Sequence, residues 1–400
     1  MRLLVVMGNY PFPPRTGSEI VAYNSMKHLS NCHTINLISC QPFYEPVESI
    51  EFIEQIEFVS RKISSNFFLW MRYLFYMMVG IPPSVSAFTS KVMRVRVREV
   101  IEHGRFDAIL LFEMSAIQYS PSSCYDKIIV NIEDPQSIRL NRMAILPVWS
   151  LWQKMKLLIY GKITEFYERK VLPKMGKVLL LSEADMWDMQ EQGGYDNLGV
   201  VPYGVNKVAI ENILGYEERA EGMIVFSGNM FHPPNVDGAL YFLQQIFPLV
   251  LQEYSTAKLW IVGADPDIRI HDAAVCFGEH VVITGRVNNM SEYLQPAKVS
   301  ICPVRLKIGV QTKILETLSW GTPVVTTSPG NSGIGGRSGC ELWVEDEPNK
   351  FASRVVELLR GEGWNRLSEE GRKLVEKQFS FESSTEQLNK YIKLLILKDE

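Results

Sequence analysis

The stretch KVSICPVRLKIGVQTKILETLSWGTPVVTT, Lys298 to Thr327, contains the pattern that decides the fold. Apolar residues at 298–303 and 322–327 predict two buried strands. Between them, residues 312–321 predict a helix, because their apolar residues recur on one face and a glycine stands at the end. Strand, helix and strand in this order build a parallel sheet.

The same alternation runs outward over the whole chain. It predicts an α/β fold of two doubly wound domains, at residues 1–205 and 206–381, with EERAEG (217–222) as a polar linker and a helix at Gly17–Leu29. The predicted strands are 2–7, 34–39, 108–112, 127–132 and 177–182 in the first half, and 223–228, 258–263, 281–285, 298–303 and 322–327 in the second half.

Length and composition agree with two ordinary globular domains. The chain has 400 residues, of which 46% are hydrophobic and 22% are charged, so it has the composition of a folded protein and not of a disordered or fibrous one. The formal net charge is −4, so the chain has no overall basic excess that would indicate nucleic-acid binding.

Cysteines and apolar runs predict a cytoplasmic protein. The six cysteines show neither a C-x-x-C pair nor metal-ligand spacing, so we expect reduced and mostly buried thiols. The apolar run at the start, 3–7, is too short for the core of a signal peptide. The longest apolar stretch, 67–81, falls short of the ~20 residues that cross a bilayer.

Two segments of the first half leave a choice between a structural and a membrane role. Segment 67–81 is crowded with aromatic residues, which favours either a helix in the domain core or an interfacial, lipid-acceptor surface. Segment 61–100 has seven cations and one acid, and segment 139–177 has nine cations and two acids. These patches predict either a solvated face or attraction to an anionic surface, such as the inner face of the cell membrane.

The loop and helix at 303–321 are the strongest candidate for a binding site. Unpaired N–H groups at the start of a helix favour an anion. Lys313 lies in the first turn, where the helix dipole disfavours a cation, so we expect its ammonium group to bind a phosphate. Arg305 stands in the same loop, and Glu316, one turn after Lys313, could accept hydrogen bonds from sugar hydroxyls.

Three carboxylates in the first half follow predicted strands. Glu113 follows 108–112, and Glu133 and Asp134 follow 127–132. Ligands of parallel sheets bind beyond the carboxyl ends of strands, so these side chains are acceptor-side candidates. A helix cap or a surface carboxylate is an equally good interpretation of each.

In the order and spacing of its motifs the chain resembles the GT-B glycosyltransferases of family 4, in particular the bacterial branch that serves polysaccharide assembly. The resemblance covers nearly the whole sequence. It rests on GNYPFPPRTGSE near the start, LLLSEADM (179–186), VVPYGVN (200–206), FSGNMFHPPNVDGALYF (226–242), VITGRVNNMSEYL (282–294) and GVQTKILETLSWGTPVV (309–325).

The resemblance assigns roles to single positions. Glu316 matches the second glutamate of the family's E-x7-E motif, whereas the first glutamate is replaced by Ile308. The Arg and Lys pair that often follows the first strand of the second domain is also missing, so neutralisation of the donor phosphates falls to Arg305 and Lys313. The donor-binding residues implied are Gly17, Gly228, Asn229, Gly309, Val310, Gly333 and Ile334.

The resemblance also implies a retaining transferase that needs neither a metal nor a cofactor. Its donor is a nucleotide sugar, its acceptor a saccharide or lipid-linked saccharide, and its active site a cleft between two Rossmann-like domains. The final segment, 382–400, with a helix at 382–398, is expected to pack back on the first domain. Asp265 and Asp267 form a D-x-D pair, but this pair binds metal in a different transferase fold.

Two other functions remain open on the same residues. A nucleotide-sugar 2-epimerase shares the architecture, but it needs carboxylates and a histidine placed for proton abstraction, and the sequence shows no such set. A degenerate module that only binds a partner would explain Ile308, although the retained Arg305, Lys313 and Glu316 weigh against it. Neither half has G-x-G-x-x-G after its first strand, which disfavours a dinucleotide oxidoreductase.

Overall fold

The computed structural model describes residues 1–42, 49–60, 73–209, 211 and 213–397. The chain forms two compact units. The first unit comprises Met1–Asn141, Lys156–Gly204 and the chain from Phe381 onward; the second comprises Arg142–Met155 and Val205–Ser380.

The strands of the first unit are β1 (Arg2–Met7), β2 (Thr34–Cys40), β3 (Gln55–Val59), β4 (Ala108–Leu111), β5 (Ile128–Glu133), β6 (Lys177–Leu180) and β7 (Leu198–Val200). Those of the second unit are β8 (Met223–Ser227), β9 (Lys258–Val262), β10 (Val281–Gly285), β11 (Val299–Cys302), β12 (Val324–Thr326) and β13 (Trp343–Val344).

The helices up to the end of β7 are α1 (Gly17–Leu29), α2 (Pro83–Ser86), α3 (Lys91–His103), α4 (Gln136–Met143), α5 (Leu151–Val171) and α6 (Glu183–Gln192). The later helices are α7 (Pro233–Tyr241), α8 (Phe247–Glu253), α9 (Ile268–Ala274), α10 (Ser291–Leu294), α11 (Thr312–Ser319), α12 (Ser328–Asn331), α13 (Pro348–Leu359), α14 (Trp364–Gln378) and α15 (Phe381–Ile396).

The first unit is built on one parallel sheet with the strand order β3-β2-β1-β4-β5-β6-β7. β1 lies between β2 and β4, with Val5 opposite both Leu37 and Leu110. All three residues are buried, as the uninterrupted apolar runs predict for strands that are covered on both faces. Helix α15 belongs to this unit, where the Ser384 hydroxyl donates to the Pro202 carbonyl at 2.7 Å.

The second unit repeats this plan with six parallel strands in the order β10-β9-β8-β11-β12-β13. Its core holds Phe226 and Ile261 from the sheet together with Phe247 and Phe351 from the helices. In both sheets the strand order reverses beside the first strand, between β1 and β4 and between β8 and β11. The reversal leaves a crevice at the carboxyl ends of those strands, which is where ligands of such sheets bind.

All ten predicted strands are present, with ends that differ by a few residues, and helix α1 has its predicted bounds. The prediction missed β3, β7 and β13. The strand β3, QIEFV, alternates polar and apolar residues at the sheet edge, and β7 and β13 contain only three and two residues. Such short edge strands carry too few apolar residues to give a signal of their own.

The predicted mostly buried cysteines are only partly confirmed, because Cys32 and Cys276 are exposed and Cys340 is intermediate. All six thiols are free. None of the helices in the described ranges combines the length and the apolar character that a membrane span requires. Residues 67–72 of the aromatic segment lie outside the described residues.

The segment 217–222, predicted as a polar linker, is anchored in the second unit by a buried arginine. Arg219 is only 4% exposed, and its guanidinium donates to the carbonyls of Leu214, Ala297 and Trp320. The guanidinium carbon lies 4.7 Å from the centroid of the Trp364 ring. Burial lowers the pKa of Arg219 to about 10, so the group remains charged at neutral pH. The segment therefore combines exposed glutamates with one arginine that satisfies buried carbonyls.

Replacing this arginine should destabilise the second unit. We expect Arg219→Met to lower the free energy of unfolding by about 3 kcal/mol, because it leaves several buried carbonyls without a donor. Urea denaturation measures the change. The control is Glu217→Ala, which alters an exposed residue of the same segment and should stay within about 0.5 kcal/mol of the wild type. Equal stability of Arg219→Met and the wild type would contradict the assigned role.

Candidate functional site

The crevice beside β8 is lined by backbone that glycines leave open. Gly228, Gly263 and Gly285 directly follow or end the adjacent strands β8, β9 and β10, and their φ angles are 145°, 150° and 69°. These angles are strained for residues with a side chain. A Cβ atom on Gly228 would lie 2.9 Å from Asn235 Nδ2 and 3.0 Å from Lys313 Nζ, so a side chain at this position would displace both groups.

Lys313 crosses the crevice from the first turn of α11. Its ammonium group donates a hydrogen bond to Asn235 Oδ1 of α7 and lies 4.9 Å from the centroid of the Phe226 ring. Asn235 Nδ2 donates in turn to the carbonyl of Asn229, at 2.8 Å. Burial lowers the pKa of Lys313, whereas Cys302 and Glu316 raise it. The structure thus holds a cation at the switch point, with the loop after β8 on one side and the start of α11 on the other.

Glu316 stands one turn after Lys313 on α11. The residue as a whole is exposed to solvent. Protein atoms packed around its carboxylate raise the pKa of this group, and the nearby Lys313 lowers it. Among the described residues, no group donates a hydrogen bond to this carboxylate. The opposite face of α11 is buried through Ile314, Leu315 and Leu318, as the sequence predicts. This packing fixes the direction of Glu316.

The start of α11 leaves one backbone donor of its first turn available. The N–H groups of Thr312 and Ile314 donate to the carbonyls of Val310 and Gln311 at 3.0 and 2.9 Å, whereas that of Lys313 has no backbone partner among the described residues. Gln311 precedes the helix, but its side chain does not cap it and donates instead to the Ile308 carbonyl at 3.1 Å. Gly309 has a φ of 50°, and a Cβ on Gly333 would lie 2.7 Å from its oxygen and 2.9 Å from the Cα of Val310. Gly309, Val310, Gly333 and the buried Ile334 are therefore close together, as expected of a single binding loop. An uncapped N–H group such as that of Lys313 suits an anionic oxygen.

Arg305 has a partner that the sequence does not reveal. Its Nε donates to Asp237 Oδ2 at 2.9 Å, its Nη2 donates to Oδ1, and Tyr241 lies under the guanidinium. Asp237 is 2% exposed, whereas the arginine side chain is 43% exposed. The pair raises the pKa of Arg305 and ties the loop after β11 to α7. It borders a cavity of about 470 Å³ within the second unit.

Ile308 is part of a small apolar cluster. It packs with Leu146 and Leu306, and the partly buried Met143 and Trp149 join them. Lys307 in the same loop accepts a hydrogen bond at its carbonyl from Arg142 Nη1, at 3.2 Å. An ionised carboxylate at position 308 would lose these apolar contacts and its own hydration. The isoleucine therefore anchors residues 142–155 on the second unit.

The structure brings the three carboxylates of the first unit together at the carboxyl ends of β4 and β5. Burial raises the pKa of Glu113 and Asp134, and it raises the pKa of Glu133 to about 7, with a further contribution from the other two. Glu133 has a positive φ of 65° and accepts a hydrogen bond from Ser18 in the first turn of α1. Asp134 pairs with Arg139 at 3.2 Å.

Each of these residues has a distinct local role. Glu113 accepts a hydrogen bond from the Ser115 hydroxyl at 2.8 Å. Glu133 Oε1 is buried, and within the described ranges it has no hydrogen-bond partner. Gly17 is the first residue of α1, where an added Cβ would meet nothing within 4 Å. The sequence predicted the three carboxylates from strand ends, and the family resemblance implied Gly17, but neither could show which carboxylate oxygen stays unpaired.

Glu168 is a buried carboxylate that sequence reasoning missed. It lies on α5, is fully buried, and accepts hydrogen bonds from the backbone N–H and the hydroxyl of Ser137 at the start of α4. Burial raises its pKa to about 7. Glutamate in the middle of a long helix gives no signal for such a role, because its partner is distant in sequence.

No cluster of three or more His, Cys, Asp or Glu side chains in the described part of the chain is arranged to hold a metal ion. In the D-x-D pair, Asp267 caps α9 and forms an ion pair with Arg269 at 2.7 Å. Asp265 lies 3.8 Å from Arg286. The carboxylate of Asp267 is thus already bound by its own helix.

Sequence comparison identifies a domain in the second unit. Residues 221–361 match the family model described as glycosyl transferases group 1. An uncharacterized 44.6 kDa protein in the cps region of Klebsiella pneumoniae is 23% identical over 218 residues, which are 50% of this chain and 53% of that protein. The chain therefore spans about half the length of the curated relative that it matches.

Solved structures extend the likeness to the whole chain. Sucrose-phosphate synthase from Thermosynechococcus elongatus has a TM-score of 0.72 at 13% identity and is covered completely, as is this chain. Anabaena HepE in complex with UDP and glucose has a TM-score of 0.64 at 11% identity, and lipopolysaccharide outer core galactosyltransferase WaaB a TM-score of 0.60 at 11% identity. Each covers 98% of this chain and is itself covered to 99%. These similarities confirm the predicted GT-B fold.

The raised pKa of Glu168 predicts how stability depends on pH. The folded carboxyl keeps its proton up to about pH 7, whereas the unfolded one loses it near 4.5, so the folded state binds more protons in that window. Its contribution to the free energy of unfolding therefore falls as the pH rises from 4.5 to 7. The free energy of unfolding of Glu168→Gln should therefore fall by roughly 3 kcal/mol less than that of the wild type between pH 4.5 and pH 7. Urea denaturation at several pH values across this window measures the difference.

The matched control for this measurement is Glu165→Gln on the same helix. Lys162 lowers the pKa of Glu165, so this group changes charge below the window and its replacement should leave the slope there intact. In both variants part of the fall in stability remains, because burial also raises the pKa of Glu133 and of Asp134. If Glu168→Gln retained the full wild-type slope, Glu168 would not be the buried acid described.

Proposed function

We propose that this chain, which has the GT-B fold and carries a group 1 glycosyltransferase domain at residues 221–361, transfers a sugar from a nucleotide-sugar donor to a saccharide or lipid-linked saccharide. The observation that carries the proposal is the position of Lys313. Its ammonium group lies at the β8–β11 switch point, beside Gly228 and one turn before the unpaired carboxylate of Glu316.

On the donor side, the proposal assigns the diphosphate to the ammonium group of Lys313 and to the backbone N–H of the same residue at the start of α11. Both carry positive charge or partial charge, and both are fixed before a ligand arrives. Glu316 then accepts hydrogen bonds from the ribose hydroxyls, for which its carboxylate has oxygens available. Gly228, Asn229, Gly309, Val310, Gly333 and Ile334 supply close backbone contacts.

Arg305 takes part in this site through a group that Asp237 does not use. The carboxylate binds Nε and Nη2, while Nη1 has no hydrogen-bond partner in the described ranges. We assign Nη1 to the donor phosphates and the other two nitrogens to holding the loop. Replacing Arg305 should therefore weaken donor binding and loosen the loop after β11 at the same time.

The proposed chemistry is a retaining transfer without a metal, as the resemblance to family 4 implies. The bond from the anomeric carbon to the diphosphate oxygen breaks, and the acceptor oxygen forms a bond to the same face of that carbon. Negative charge grows on the leaving diphosphate, where the ammonium group and the backbone N–H of Lys313 stabilise it. The acceptor hydroxyl proton passes to the leaving phosphate oxygen, so the step needs no separate base.

On the acceptor side, the proposal assigns sugar hydroxyls to the carboxylates of the first unit. Glu133 Oε1 is buried and unpaired within the described ranges, and Glu113 and Asp134 lie near it. Carboxylates accept hydrogen bonds from several hydroxyls at once, which suits a saccharide. The cps region and the lipopolysaccharide outer core in the names of the similar proteins support a role in surface polysaccharide synthesis.

Two substitutions on α11 test the donor site. Lys313→Ala removes the cation that stabilises the leaving group, and Glu316→Gln removes the acceptor for the ribose. Each should lower the transfer rate at least tenfold, which corresponds to about 1.4 kcal/mol or more. The donor is first chosen by screening UDP-, GDP- and dTDP-sugars for hydrolysis or for a rise in melting temperature.

The control substitution is Lys350→Ala, which removes an exposed lysine of the same unit that pairs with Glu347. It should keep the wild-type rate. Wild-type transfer by both Lys313→Ala and Glu316→Gln, with the donor bound as before, would contradict the site.

A further inference from the structure

The long helix α5 exposes apolar side chains to solvent, whereas an ordinary surface helix packs its apolar face on the core. Trp152 is 74% exposed, and it shares one third of the helix circumference, by the geometry of 3.6 residues per turn, with five other exposed apolar side chains. The exposed members are Leu151, Trp152, Met155, Leu158, Ile159 and Phe166. The face toward the protein carries the small or polar Gly161, Thr164 and Glu168 as well as Tyr167.

A second exposed apolar segment adjoins this helix. Residues 73–80 expose Leu74, Phe75, Met78 and Val79, and Met78 reaches 73%. Gly80 lies directly against Phe166 of α5, since a Cβ on Gly80 would stand 2.5 Å from the phenyl ring. The two segments therefore form one apolar surface, which we call the docking surface. The part of the aromatic segment at 73–81 is thus not a core helix.

Cations lie within and beside the docking surface. Helix α5 carries Lys154, Lys156, Lys162, Arg169 and Lys170 against only two acids. One acid, Glu168, is buried with a raised pKa, and the other, Glu165, pairs with Lys162 and Arg169. A net positive charge therefore remains beside the apolar side chains.

We propose that the docking surface binds an anionic lipid bilayer, with α5 lying in the plane of the headgroups. At the membrane surface, the large apolar side chains would contact the acyl chains, and the lysines beside them would bind the phosphate groups. Tryptophan favours this depth, because its ring is apolar and its N–H can bind water or headgroups. The contact is peripheral, in keeping with the absence of a spanning helix from the described ranges.

The charge pattern decides between a bilayer and a second copy of this chain. Two copies meeting through this surface would bring their lysines together, and like charges in contact are unfavourable. An anionic bilayer neutralises them instead. Docking needs neither the donor nor the carboxylates of the first unit, so its failure would leave the proposed transferase activity standing.

Sedimentation of the full chain with vesicles tests the proposal. The wild type should bind vesicles of phosphatidylglycerol and phosphatidylcholine, bind pure phosphatidylcholine less tightly, and leave the mixed vesicles at high salt. Trp152→Ser combined with Met155→Ser should lower the affinity about tenfold or more, through lost apolar contact. Lys154→Gln combined with Lys156→Gln should lower it by roughly thirtyfold on the anionic vesicles and little on the neutral ones.

The matched control is Trp187→Ser, which removes a tryptophan that is 60% exposed on α6 and lies off the docking surface. It should bind like the wild type, and equal melting temperatures of all variants show that they fold. Equal binding of Trp152→Ser/Met155→Ser and the wild type would overturn the proposal. The proposal would also be overturned if light scattering showed a dimer of the wild type that is absent from Trp152→Ser/Met155→Ser.

Discussion

The hydrogen bond from Lys313 to Asn235 is the contact on which the candidate site depends. A lysine in the first turn of a helix opposes the helix dipole, and its burial costs free energy unless the charge has partners. Here an amide oxygen and an aromatic face supply them, and Gly228 leaves the space. A cation held in this way, in the crevice of a doubly wound sheet, is stabilised further by an anion.

The surrounding residues follow from this arrangement. The Arg305–Asp237 pair holds the loop after β11 against α7, and the apolar contacts of Ile308 hold the same loop against residues 142–155. The missing glutamate at position 308 therefore has a structural explanation. An isoleucine stabilises the loop through its apolar contacts, and the proposed site uses the carboxylate of Glu316 as the acceptor for hydroxyl groups.

The sequence predicted the parts of this protein that rest on local pattern. Continuous apolar runs located the ten major strands, and the spacing of Ile314, Leu315 and Leu318 located α11. What it could not predict depends on partners distant in the chain, such as Asp237 for Arg305. The burial of Arg219 is of the same kind, since a polar hexapeptide is typical of a linker until the carbonyls around it are known. Lys313 was predicted as an anion ligand, and that role stays a proposal.

The most direct measurement of the central claim is a calorimetric titration with the nucleoside diphosphate of the donor that the nucleotide-sugar screen selects. It is titrated into the wild type, Gly228→Ala and Gly363→Ala. Both alanines introduce backbone strain at a positive φ, but only the methyl group on residue 228 would press on Lys313 and Asn235, while that on residue 363 meets open space. If Lys313 binds the donor diphosphate, Gly228→Ala binds this nucleoside diphosphate at least tenfold more weakly than the other two proteins. Equal affinity of all three proteins would contradict it.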